Sequence, residues 1–94
     1  MSNPVSTRYA VVSTVTVDDV GTARAALHDQ RVGFVQRAPG FVCAYWLAPV
    51  DSVGMSVLVF DSKEHAEQAA GYPLPALPGI TPLTLEVREV FAHA

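Results

Sequence analysis

The spacing of apolar and polar positions changes several times along this chain, and each change marks an element. From Arg8 to Val17 the run RYAVVSTVTV is β-branched and free of Gly and Pro, which predicts a strand. Neither its odd positions (Tyr9, Val11, Ser13, Val15, Val17) nor its even ones (Ala10, Val12, Thr14, Thr16) carry a charge, so both faces are expected to be covered. Asp18 or Asp19 can cap a helix start. Beyond them Val20, Ala23, Leu27, Phe34, Val35 and Ala38 recur at helical spacing and predict one core-facing stripe. Arg24, His28 and Arg31 fall on a more polar face and are expected at the surface. Pro39-Gly40 stops the helix.

Phe41 to Leu47 (FVCAYWL) predicts a second strand, in which the neighbours Tyr45 and Trp46 must point to opposite faces. Pro49 to Gly54 is a turn region, and Met55 to Phe60 (MSVLVF) a third strand, so the two strands form an antiparallel hairpin. Ser62 caps a short helix, KEHAEQAA, with Glu64 in its first turn and Gly71 beyond its end. The segment 71–82 (GYPLPALPGITP) carries Pro73, Pro75, Pro78 and Pro82 and predicts a stiff, irregular loop. A last strand runs from about Leu83 to Phe91, with Leu85 and Val87 on one side and Glu86 and Arg88 on the other. Residues 1–7 read as a flexible leader, and with no internal repeat the whole of 1–94 reads as one domain.

The order β-α-β-β-α-β predicts an α+β, ferredoxin-like sandwich, a four-stranded sheet with both helices on one face. The other face would be bare, yet its residues are mostly apolar. Pairing with a second copy about a two-fold axis would cover it, so a homodimer through the open sheet face is expected.

Composition points the same way. The chain has 94 residues, 50% of them hydrophobic and only 16% charged. A monomer of this size has a thin stability margin, and so apolar a chain has few charges with which to cover a free surface. Cys43 is the only cysteine, which excludes an internal disulfide, and a buried thiol in an apolar strand is inert. No secretory signal or membrane-length apolar run is visible, so a cytoplasmic protein without membrane contact is expected. The net charge is −3 and the six Lys and Arg residues are scattered, which argues against nucleic acid. No glycine-rich phosphate loop and no Cys or His pair at metal-ligand spacing is present, so neither a nucleotide nor a metal is expected.

Pro39-Gly40-Phe41 after the first helix, and Phe60-Asp61-Ser62-Lys63-Glu64 leading into the second, resemble the punctuation of the antibiotic-biosynthesis-monooxygenase-like dimeric α+β barrels. The resemblance spans roughly Tyr9 to Ala70 and the position of the last strand. It implies a dimeric barrel with a pocket between sheet and helices. It also implies one of three activities: cofactor-free oxygenation, haem degradation, or none. The haem-degrading branch implies an Asn late in the first strand, a Trp before the second helix and an axial His after it. Here Ser13 and Phe60 stand in the first two places, and His65 comes too early for the third. The expectation is therefore no cofactor.

Cofactor-free oxygenation asks for an apolar pocket, a polar group to orient a phenolic or enolic substrate, and a base. His65, Tyr45 and Ser13 are the candidate catalytic groups, with Trp46, Phe60, Tyr72 and Arg88 as candidate pocket residues. Each has a plainer alternative. Ser13 can be a small filler, Tyr45 or Trp46 an interface anchor, His65 a solvated helix residue, and Arg88 a partner for Glu86. Two functions thus stand side by side. One is an enzyme, a cofactor-independent monooxygenase or a relative of one, acting on a small aromatic or polyketide-like substrate. The other is a non-catalytic ligand-binding or dimeric assembly domain.

Overall fold

A computed structural model of the chain describes residues 7–72 and 76–94. The proposed leader (but for Thr7), and Pro73 and Pro75 of the loop, lie outside the described residues. Strand β1 (Tyr9–Val17) leads into a helical arm of three segments: α1 (Val20–Ala26), a π-helical stretch (Leu27–Val32) and α2 (Gly33–Gln36). Strands β2 (Phe41–Val50) and β3 (Val53–Phe60), helix α3 (Lys63–Gly71) and strand β4 (Ile80–Glu89) complete the order. The strands form one antiparallel sheet in the order β2-β3-β1-β4. This is the α+β, ferredoxin-like arrangement expected from the pattern.

Local chemistry explains the boundaries. Asp19, not Asp18, caps α1: its side chain accepts from the Thr22 amide at 2.9 Å. The Ser62 hydroxyl does the same for the His65 amide at 3.2 Å. Between β2 and β3 the reversal is tighter than the broad turn expected, because Asp51 (φ 51°) and Ser52 (φ 65°) both adopt left-handed conformations. Two such residues give the twist that matches a two-residue hairpin, so both strands extend almost to the turn. The last strand also begins earlier than expected, at Ile80, and includes Pro82. The β4 strand is an edge strand and its register against β1 shifts between Thr14 and Val15, opposite Pro82, where a missing N–H is tolerated.

The core sits where α3 closes on the sheet. Phe60 is fully buried, beside Val11 and Ala66, with Phe41 edge-on at 6.2 Å. Tyr9, Leu58 and Val87 pack around them. Odd-numbered β1 residues therefore face the helices. The even-numbered ones, in register with Met55, Val57 and Val59 of β3, form the opposite face, over which no described element of this chain packs. Tyr45, Leu47 and Met55 are exposed there, Tyr45 by 62%. Covering both faces of β1 thus does not happen within one chain. Among the described residues no helix is long and apolar enough to cross a membrane.

Candidate functional site

Two clefts open between the sheet and its helices. The larger, about 300 Å³, lies between the helical arm and the floor made by β1, β2 and β3. Its floor is set by the register of the sheet. Trp46 pairs with Ser56 and Ser56 with Ser13, so one row of the sheet presents an indole and two hydroxyls side by side. The hydroxyls of Ser13 and Ser56 share a hydrogen bond of 2.5 Å. Two hydroxyls hold two protons and use one between them, which leaves donor and acceptor capacity for a ligand. Val15, Val17, Leu27 and Ile80 give the rest of the wall an apolar character.

The arm contributes the polar side. Arg24, His28 and Arg31 all line this cleft. Arg24 and His28 are exposed, as expected, and Arg31 is half-buried; what the spacing did not announce is that all three border a cleft. Burial of the Arg31 guanidinium pulls its pKa below the ordinary arginine value, so part of its hydration has been exchanged for protein. His28 and Arg31 both lie in the π-helical stretch, a geometry that recurs at functional positions because it re-aims side chains.

The second cleft, about 220 Å³, lies between α3 and the far end of the arm. Phe34, Leu58, Phe60 and Tyr72 line it, with His65, Gln68 and Arg37 as polar members. Phe34 and Tyr72 meet at 5.5 Å. His65 is not simply solvated: its Nδ1 lies 2.6 Å from Asp61 Oδ1. That hydrogen bond is the main reason the Asp61 carboxyl is held below its ordinary pKa. Gly40 is wedged against the pair. A Cβ there would run into His65 Nδ1 and Asp61 Oδ1, and the Asp61 amide donates to the Gly40 carbonyl at 2.9 Å.

The candidates taken from the sequence therefore divide into three places. Ser13 and Trp46 line the larger cleft. His65, Phe60 and Tyr72 line the smaller. Tyr45, in register with Val57, and Arg88, in register with Ala10, lie on the open face. Arg88 Nε also pairs with Glu86 Oε1 at 3.2 Å. His65, Tyr45 and Ser13 are not brought together. Tyr45 and Trp46 do point to opposite faces, as alternation requires. The signal that could have placed Arg24 and His28 is their position flanking the Val20–Leu27 stripe, on its border and not opposite it.

Among the described residues no cluster of His, Cys, Asp and Glu could hold a metal ion. No protein-family model matches the chain, and no curated protein matches it. A solved structure does: a haem-degrading protein from Mycobacterium tuberculosis, determined free of haem and with the protein cleaved. The two are 24% identical, superpose with a TM-score of 0.56, and the match covers 92% of this chain and 96% of the other. That likeness shows a shared fold. Of the positions that the haem-degrading branch implies, Phe60, in the place of the Trp, is fully buried in the core, Ser13 shares a hydrogen bond with Ser56, and His65 holds Asp61 through Nδ1.

Proposed function

We propose that this chain binds a small aromatic or polyketide-like substrate in the larger cleft and oxidises it with molecular oxygen, without a cofactor. The observation that supports this most is the meeting of an indole-and-valine wall, a serine pair in the floor and three basic side chains on one flank. A flat apolar ring with one ionisable hydroxyl fits such a lining. His28 takes the proton of the phenol or enol, and the guanidinium groups of Arg24 and Arg31 stabilise the anion left behind. The Ser13–Ser56 pair orients a second oxygen of the substrate. The carbanion form of the substrate gives electrons to O2, and its carbon forms a C–O bond to yield a hydroperoxide. Loss of water then leaves a carbonyl, so that CH2 plus O2 becomes C=O plus H2O. The substrate supplies all the reducing electrons.

The same reading makes the protein a cytoplasmic homodimer paired through its open sheet faces, with Tyr45 and Leu47 as anchors. Their exposure, 62% and 51%, gives an apolar surface of the kind that a partner covers. Light scattering behind a sizing column should give about twice the 10.0 kDa chain mass. Tyr45→Asp should return it to one chain mass.

Oxygen uptake with a panel of hydroquinones and anthrones tests the chemistry. Uptake should depend on substrate and fall at least tenfold in His28→Phe, since a positioned base supplies about 100-fold or more. Binding without uptake would favour the non-catalytic alternative. Absence of both binding and uptake would refute the assignment of the cleft.

A further inference from the structure

We infer that the smaller cleft is a second ligand site, one that takes a small phenolic acid and hydrogen-bonds its hydroxyl to His65. This goes beyond the reading of the larger cleft and does not depend on it. The geometry of His65 carries the argument. Its Nδ1 is held by Asp61 at 2.6 Å, which in the neutral ring puts the proton on Nδ1 and leaves Nε2 as an acceptor. Gly40 packs against the Nδ1 edge, so what His65 can offer the cleft is its opposite edge. An acceptor facing an apolar cleft selects a ligand that donates, and a phenol does so while its ring meets apolar walls.

Those walls are aromatic. Phe34 and Tyr72 meet at 5.5 Å with their planes 48° apart, and both are exposed to the cleft. Aromatic lining at such separations favours a flat ring over an aliphatic chain. Arg37 is the cleft's cationic member and is exposed, so it can receive a carboxylate at the rim without that group losing its water entirely. A cavity of about 220 Å³ suits one substituted ring and not a fused polycycle. Ring, hydroxyl and carboxylate together describe a hydroxybenzoate.

The test is an NMR titration of the full chain with 4-hydroxybenzoate, and separately with benzoate. Amide shifts should concentrate at Phe34, Gln68 and Tyr72, and benzoate should bind about tenfold more weakly because Nε2 is left without a donor. That comparison uses the unaltered protein, so it does not hang on a variant folding. His65→Phe should remove the difference between the two ligands, whereas Trp46→Phe in the larger cleft should leave it intact. Equal affinity for the two ligands would overturn the proposal. So would shifts confined to Ser13, His28 and Trp46, which would move the ligand to the other cleft.

Discussion

Replacing Gly40 by alanine is the sharpest test of how the two structural motifs of this chain are joined. Gly40 ends the helical arm at φ 76°, a conformation that costs a residue with a Cβ about 1–2 kcal/mol. A Cβ would also collide with His65 Nδ1 and Cγ and with Asp61 Oδ1. Backbone hydrogen bonding from Asp61 to Gly40 at 2.9 Å keeps the two segments from separating to make room. Forcing a methyl against a held ring adds roughly 1–3 kcal/mol. Together Gly40→Ala should cost about 2–5 kcal/mol, which in a domain of this size lowers Tm by more than about 8 °C. Urea unfolding followed by circular dichroism measures the free energy directly. The same change should be milder in a chain that already carries Asp61→Ala and His65→Ala, where only the left-handed cost of about 1–2 kcal/mol remains. An equal cost in both backgrounds would refute the contact with the pair. A cost under about 1 kcal/mol would refute the strained conformation as well.

Other outcomes rest on the same geometry. Phe60→Ala empties the only fully buried large side chain among the described residues, and should cost about 3–5 kcal/mol by chemical unfolding. Ser52→Gly should stabilise by about 0.5–1 kcal/mol in the same assay, because Ser52 holds φ 65° at a turn position that glycine adopts freely. Asp61 gives a pH dependence of known sign. Its folded pKa lies below the ordinary 3.8, so its stabilisation is complete above that value and is lost as pH falls through the lowered one. Asp61→Asn should flatten that acid limb in urea midpoints taken between about pH 2 and 6, and an unchanged limb would assign it to other carboxylates.

The fold was legible because its signals are local. A β-branched run, Pro39-Gly40 after the helical arm, and Ser62 before an apolar-poor helix each act within a few residues, and each came out in place, whereas Gly71, expected beyond α3, is its last residue. The discrepancies arose where a neighbour decides. Pro82 reads as a breaker, yet it lies on an edge strand at a shift of register, where its missing N–H is harmless. Ser52 and Asp51 read as part of a loose turn, but they close a two-residue one, because the sheet twist stabilises left-handed residues there.

The site was harder to read, for a reason that lies in the helical arm. The expected stripe took in both Phe34 and Val35, and a regular helix centres it on Phe34 with Val20, Ala23 and Leu27, leaving Val35 nearer its border. In the structure Val35 is buried and Phe34 is 40% exposed. The π-helical stretch Leu27–Val32 spends an extra residue per turn, so the residues of α2 are rotated back by about one position and Val35 takes the place of Phe34. That rotation releases Phe34 to meet Tyr72 at the smaller cleft. The same stretch carries His28 and Arg31 along the larger one. A periodicity count assumes a constant turn, and it fails where the turn changes. Both clefts therefore depend on a local irregularity that no spacing of apolar residues announces. The wide turn also carries Arg31 at the wall of the larger cavity, where burial lowers its pKa.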